Sequence, residues 1–145
     1  MYKITFTIIF TFLFLISFGQ SEPAEQILGE WISEEKDTRI EIYKNGNQFN
    51  GRLKWSQVYL ESDGTTSSKD LNNNDEKLRG RNLINADLLF HFTFSDGIWD
   101  DGKMYDPKSG KTYNCLIRLR DNKLEVRSYV GIPLLGRSTF WQRVQ

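Results

Sequence analysis

Carboxylate and amide side chains are concentrated between residues 70 and 75, where their spacing could serve a metal ion. Asp70, Asn72 and Asn74 offer oxygen ligands at alternating positions, as at the start of a calcium-binding loop. An EF-hand would continue with glycine at the sixth position and glutamate at the twelfth, where this chain has Asp75 and Arg81. The sequence therefore excludes an EF-hand. Two interpretations of these residues remain. One is an irregular calcium site; the favoured one is that the side chains tie the loop to itself and cap a short helix.

Three arginines form a second group that could bind a ligand. Arg79, Arg81 and Arg137 carry guanidinium groups, which match the paired oxygens of a carboxylate or a phosphate. The favoured alternative is that they pair with acidic side chains of the chain itself and fasten loops across the mouth of a barrel. With their polar and aromatic neighbours they make up the predicted ligand-binding set: Asp70, Asn72, Asn73, Asp75, Arg79, Arg81, Tyr105, Asp106 and Arg137.

The sequence contains no specific catalytic or metal-binding signature. His91 is the only histidine and Cys115 the only cysteine, so neither has the partner that a zinc site or an activated nucleophile needs. Cys115 lies in an alternating apolar segment, which predicts a buried, unreactive thiol. Loop carboxylates such as Asp70 could act as general acid or base only if the fold buried them in a cleft. We therefore predict no catalytic residue, no metal and no cofactor.

A β-hairpin is the element that most clearly positions these side chains. Residues 99–113 read as two short strands joined by a tight turn, in which Pro107 presets φ at the first turn position. Gly110 supplies the positive φ that closes the turn. This arrangement predicts a register in which Tyr105 lies opposite Thr112.

Short alternating segments separated by turn residues continue along the chain, and helical periodicity is almost absent. About eight such segments predict an all-β domain. We favour a small antiparallel up-and-down β-barrel over a sandwich, because closure removes exposed strand edges. One short helical turn is expected within the 61–80 loop, with Asn74 or Asp75 as its N-cap.

Two strands carry specific expectations about which side chains share a face. A long third strand over residues 49–60 would place Leu53 and Trp55 on the same side. The following strand would place Phe90, Phe92 and Phe94 together on one face.

Residues 1–19 are typical of a secretory signal peptide. Lys3 precedes a mostly apolar run over residues 4–18, and Ser17 and Gly19 are the small residues before a cut. The run is about 15 residues, shorter than the roughly 20 of a spanning helix, which disfavours the alternative of a membrane anchor. We predict an exported protein, periplasmic or secreted, with no membrane span after cleavage. Residues 20–26 are predicted to be a flexible linker ending in a helical turn, and residues 27–145 a single domain.

Charge and cysteine content limit which partners and which covalent cross-links the chain could have. The 145 residues include 19 lysines and arginines and 19 aspartates and glutamates, so electrostatics give no argument for nucleic acid as a partner. An exported chain with a single cysteine has no internal disulfide and is held together by its core.

The two ends of the chain resemble those of lipocalins. Gly29 and Trp31 match the Gly-x-Trp signature of the first lipocalin strand, and Arg143 stands where those barrels place an arginine over the tryptophan. A guanidinium over an indole face contributes roughly 0.5–2 kcal/mol. The predicted structural residues are Gly29, Trp31, Gly110, Trp141 and Arg143.

The chain as a whole resembles the DUF2147 family, exported bacterial proteins of unknown function. The resemblance spans almost all of the chain after residue 27 and keeps its motifs in order. They are Gly29 with Trp31, residues 70–75 with 78–81, residues 99–107 with 110–113, and residues 129–137 with 140–143. This resemblance implies an exported β-barrel and brings no known activity or ligand.

These observations favour a non-enzymatic barrel that binds a small apolar or amphipathic ligand, with an anionic ligand as a further possibility. That function predicts a cavity of about 300 Å³ or more with an aromatic and aliphatic lining. The apolar loop at residues 131–136 would be either a lid over this cavity or a plug that fills the barrel. The alternatives are a filled barrel that acts as a protein-interaction or envelope-maintenance module, with its partner unknown, and a hydrolase-type enzyme using loop carboxylates.

Overall fold

Eight antiparallel strands close into a barrel in the computed structural model, which describes residues 22–145. Each strand pairs with the next along the chain, and the last pairs with the first, so the predicted up-and-down β-barrel is confirmed. The strands are β1 (Gly29–Ser33), β2 (Thr38–Asn45), β3 (Gln48–Ser56), β4 (Asp87–Ser95), β5 (Ile98–Asp106), β6 (Lys111–Arg120), β7 (Lys123–Tyr129) and β8 (Arg137–Arg143). Three short 3₁₀ turns accompany them: Pro23–Ile27, Glu76–Leu78 and Pro133–Leu135.

The β5–β6 hairpin has the predicted register. Tyr105 pairs with Thr112, and Gly110 closes the turn with φ of 70°. The Asp106 carboxylate accepts hydrogen bonds from the Lys108 amide (3.0 Å) and the Ser109 hydroxyl (2.7 Å). These bonds hold the turn in one conformation.

The third strand is shorter than predicted, since it ends at Ser56. A bulge at Lys54 in β3 pairs Ile40 with Leu53 and the neighbouring Arg39 with Trp55. One extra residue in β3 therefore reverses the alternation, and the expectation that Leu53 and Trp55 share a face is wrong. The Trp55 ring lies on the outer face, 5.9 Å from the Arg39 guanidinium carbon.

Strand β4 also departs from simple alternation. His91 has a φ of 69°, which is a left-handed conformation rare for a residue other than glycine. The buried positions consequently pass from Leu89 to Phe92, three residues on. Phe90 instead pairs with Lys103 outside the core, so the predicted shared face of the three phenylalanines is wrong.

The barrel has two different ends because its strands run alternately up and down. One end, which we call the floor, carries the tight turns at residues 46–47, 96–97 and 121–122. The other end, the mouth, carries the connections at residues 34–37, 57–86, 107–110 and 130–136. Every longer connection therefore lies at the mouth.

The floor is closed by the predicted pair of Trp31 and Arg143. These residues are cross-strand partners in β1 and β8, and the guanidinium carbon lies 4.3 Å from the indole centroid. Arg143 also donates hydrogen bonds to the carbonyls of Leu28 and Gln26. The indole of Trp31 donates to the Ile27 carbonyl (2.9 Å). The predicted lipocalin-like closure is confirmed.

The turn Pro23–Ile27 packs beneath the floor. Its Ala24 carbonyl accepts a hydrogen bond from the Trp99 indole (2.9 Å), so this part of the predicted linker is tied to the barrel. Gly29 follows with φ of 114°, and a Cβ there would lie 3.2 Å from an Arg143 nitrogen. The predicted signal peptide lies outside the described residues. No helix within residues 22–145 is long and apolar enough to cross a membrane.

Candidate functional site

A cavity of about 220 Å³ opens at the mouth of the barrel. Below it, large side chains such as Trp31, Trp99 and Phe92 are buried in the interior. Smaller residues line the inner wall near the mouth, among them Thr38 and Thr139, so the barrel is packed at the floor and hollow above. The apolar lining of the cavity comes from five strands: Ile40, Leu88, Leu89, Met104, Val126 and Trp141.

The cavity is smaller than the 300 Å³ expected from the sequence, but its lining is of the expected kind. Met104 and Asp106 also line a wider depression of about 590 Å³, which we call the vestibule. The vestibule is lined on its far side by Leu135 and Arg137. Within residues 22–145 the Arg137 side chain forms no ion pair.

Tyr59 reaches over the cavity from the long 57–86 connection. Burial, followed by the negative charge of Asp106, raises the pKa of its phenol to about 12, so the hydroxyl remains protonated at neutral pH. It is therefore available as a hydrogen-bond donor at the mouth. Sequence analysis missed Tyr59 because it placed this residue in an extended third strand.

Asp70 is fully buried and holds the 57–86 connection to strand β5. One carboxylate oxygen accepts from the Tyr105 hydroxyl (2.6 Å). The other accepts from the Asn73 amide (2.8 Å) and Arg81 Nε (2.9 Å). Burial and the bond to Asp70 raise the pKa of Tyr105 to about 12. This network accounts for four residues of the predicted ligand-binding set.

Asn72 and Asn74 hold the hairpin turn. The Asn72 amide donates to the carbonyls of Pro107 (3.2 Å) and Lys108 (2.9 Å). Asn74 donates to the Gly110 carbonyl (3.2 Å). We call these three contacts the asparagine clasp. The polar run predicted to tie the loop to itself thus also binds a turn more than thirty residues away.

The three predicted arginines have different surroundings. Arg81 pairs with Asp70, as the alternative interpretation expected. Arg79 donates to the Asn73 carbonyl (2.8 Å) and lies 3.6 Å from Glu76. Only Arg137 borders the vestibule. Asp75 caps the turn Glu76–Leu78 by accepting from the Lys77 amide (3.0 Å), which confirms the predicted cap.

Cys115 and His91 have the environments expected of structural residues. Cys115 is fully buried, and burial raises the pKa of its thiol to about 12. His91 is exposed, with Nδ1 3.2 Å from the Gln48 side-chain oxygen. The part of the chain that the structure describes holds no group of three or more histidine, cysteine or acidic side chains that could bind a metal.

The apolar loop at residues 130–136 does not enter the barrel. Leu134 and Leu135 are 80% and 76% exposed, so its interpretation as a plug is wrong. Arg127 fixes the loop against β7 by donating to the carbonyls of Pro133 (2.7 Å) and Leu134 (3.2 Å). The expectation fails because those arginine contacts cannot be read from the apolar sequence of the loop.

Comparison with known proteins agrees with this architecture. HP1028 from the human pathogen Helicobacter pylori, described as belonging to the lipocalin family, matches with a TM-score of 0.72 and 24% sequence identity. The match covers 83% of this chain and 84% of that one and confirms the lipocalin-like fold. No curated protein matches the chain. The sequence profile of DUF2147, described as an uncharacterized protein conserved in bacteria, matches residues 29–143. The chain therefore belongs to the DUF2147 family, as its motifs predicted.

Proposed function

We propose that this protein is an exported, non-enzymatic carrier that binds a small amphipathic molecule in its mouth cavity. The observation that carries the proposal is the apolar cavity of about 220 Å³ at the open end of a barrel whose other end is packed. Binding cavities for drug-sized ligands measure about 300–1,000 Å³. The apolar part of the ligand is therefore smaller than a typical drug, and its polar part extends into the vestibule.

The side chains at the mouth indicate how such a molecule is oriented. Its apolar end lies against Leu89 and Val126, which belong to the buried core. Its polar end meets Arg137, whose guanidinium suits a carboxylate or phosphate. The Tyr59 hydroxyl supplies a second donor nearby. This orientation favours an aliphatic acid over a neutral apolar compound.

Three residues of the predicted ligand-binding set lie at this mouth: Tyr105, Asp106 and Arg137. The others position the wall: Asp70 and Arg81 hold Tyr105, and Asn72 holds the hairpin turn. It stays a prediction that a ligand directly contacts the remaining residues of the set, which are Asp70, Asn72, Asn73, Asp75, Arg79 and Arg81. The non-enzymatic part of the proposal is supported by the carboxylates of Asp70 and Asp106, which are already engaged in holding loops.

Titration with decanoate and with decanol tests the proposal, with the fluorescence of Trp141 and the other tryptophans as the signal. Val126→Phe fills the cavity and should weaken binding of both compounds at least tenfold. Val58→Phe is the matched control, since Val58 is exposed and does not line the cavity. Arg137→Gln should weaken decanoate about fivefold or more and leave decanol unchanged. Equal binding by wild type and Val126→Phe would exclude the cavity as the ligand site.

Export is tested separately by determining the N-terminus of the protein recovered from the periplasm or medium. A start near residue 20 is expected from the signal-peptide pattern. A cell-associated protein that retains residues 1–19 would contradict export with cleavage.

A further inference from the structure

The most exposed apolar surface of the described chain lies beside the vestibule. Val130, Ile132, Leu134 and Leu135 are 73%, 53%, 80% and 76% exposed. They occupy one connection of seven residues, and we call these four side chains the apolar rim. A set of large aliphatic side chains exposed together on a soluble domain marks an interaction surface.

The structure holds the rim in a fixed position. Arg127 donates three hydrogen bonds: to the carbonyls of Pro133 and Leu134 and to the Ser138 hydroxyl (2.9 Å). Gly136 donates to the Pro133 carbonyl (3.0 Å). The aliphatic side chains are therefore presented outward by a backbone with fixed contacts, and their exposure is a property of the fold.

Positive charge lies along one side of the rim. Pro133 and Leu134 share a groove with Arg118, Arg120, Arg127 and Glu125. Glu125 is buried and pairs with Arg120 (3.1 Å), so its charge is already compensated. Within residues 22–145, no carboxylate lies within salt-bridge distance of Arg118, Arg127 or Arg137. The apolar rim and the unpaired guanidinium groups beside it complement an anionic bilayer, in which acyl chains lie below the phosphate groups of the surface.

We propose that the apolar rim docks the mouth of this barrel onto anionic membranes. Leu134 and Leu135 enter the boundary between headgroups and acyl chains, and Arg118 contacts the phosphates. Leu135 and Val130 also line the vestibule, so docking brings the cavity mouth to the bilayer surface. Leucine and valine, which make up three of the four rim residues, are under-represented in protein hot spots, and this composition favours lipid over a protein partner.

Vesicle sedimentation tests the proposal, using phosphatidylcholine alone and phosphatidylcholine with about one-third phosphatidylglycerol. The wild type should bind the anionic vesicles and lose that binding as salt is raised. Leu134→Ser/Leu135→Ser should lower the partition coefficient at least about tenfold. Leu71→Ser is the matched control, since Leu71 is 71% exposed but lies on another connection. All preparations must share one N-terminus, verified by intact mass, because residues 1–19 are themselves apolar.

A charge variant separates the two parts of the surface. Arg118→Gln should lower binding to anionic vesicles about fivefold and leave binding to phosphatidylcholine unchanged. Lys77→Gln removes the same charge from the exposed turn at the other side of the mouth and should have no effect. If the double leucine variant fails to fold, Val130→Ser/Ile132→Ser replaces it.

Two results would overturn the proposal. In one, the double leucine variant binds anionic vesicles as well as the wild type does. In the other, the wild type binds no vesicles but forms dimers that the double variant loses, which would assign the rim to a second copy of the chain. Neither outcome depends on a ligand in the cavity, so failure here leaves the proposed function untouched.

Discussion

Gly110→Ala should destabilise this barrel far more than an ordinary substitution in a turn. A Cβ at Gly110 would lie 1.9 Å from the Asn72 carbonyl oxygen and 2.9 Å from its carbon. Backbone atoms do not tolerate such approaches, so the hairpin turn and the Asn72 segment must separate by about 1 Å or more to restore van der Waals contact. That movement breaks the asparagine clasp, whose three hydrogen bonds span the same gap.

The expected cost has two parts. Alanine in the left-handed conformation costs roughly 1–2 kcal/mol. Each of the three hydrogen bonds contributes about 0.5–1 kcal/mol, toward the low end of the usual range because the clasp is partly exposed. Together these give a loss of about 2.5–5 kcal/mol in the free energy of unfolding, a large share of the 5–15 kcal/mol of a typical domain.

Urea unfolding measures this loss, and Gly46→Ala is the matched control. Gly46 has a similar φ of 62°, but nothing lies within 4 Å of the Cβ position. Only the conformational cost applies there, so the loss should be about 1–2 kcal/mol. Hydrogen exchange should also accelerate at the Asp70 and Asn73 amides in Gly110→Ala alone, since both belong to the displaced segment. Equal losses at the two glycines would refute the role of the clasp.

Three further predictions concern Arg143, Tyr105 and Cys115. Arg143→Met should cost about 1–3 kcal/mol in urea unfolding, since it removes two hydrogen bonds and the contact with the Trp31 ring; a loss below 0.5 kcal/mol would contradict this floor closure. Tyr105 contributes stability that is complete below pH 10 and lost as the pH rises through its folded-state pKa of about 12. Tyr105→Phe should therefore lower the free energy of unfolding at pH 7 and reduce its decline at high pH, and an unchanged decline would refute this link. The Cys115 thiol should react with thiol reagents at the rate of global unfolding, because it is fully buried and its pKa is raised to about 12; fast labelling in buffer would disprove its burial.

The sequence predicts those parts of the barrel that are encoded by neighbouring residues. The hairpin register depends on Pro107 and Gly110 within one turn, and both residues have strong conformational preferences. The Trp31–Arg143 contact was predictable for a different reason, since the resemblance to lipocalins implies an arginine of the last strand over the tryptophan of the first. Local turn chemistry and closure together determine the fold class.

The features of the barrel that the sequence could not predict are of two kinds. Some break the inward–outward alternation of side chains along a strand, and others are hydrogen bonds to residues distant in the sequence. The bulge at Lys54 and the positive φ of His91 have no local sequence signal, because neither position is a glycine. Asn72 reads as a self-bonding loop residue, although its partners are the carbonyls of Pro107 and Lys108. Cavity volume is harder still to predict from the sequence. It is the small difference between the volume of the barrel interior and the summed volume of the side chains that fill it.

The polar residues of the 57–86 connection hold in place the wall that lines the cavity. Tyr105 lines the cavity while its hydroxyl is held by Asp70, which does not line it. Asp106 lines the cavity while its carboxylate holds the turn. Releasing the clasp with Gly110→Ala should therefore weaken decanoate and decanol by the same factor, because the wall formed by β5 moves. The preference for the acid depends on Arg137, in β8, and should survive that movement. A change in the ratio of the two affinities would instead place the hairpin turn in direct contact with the ligand's charged group.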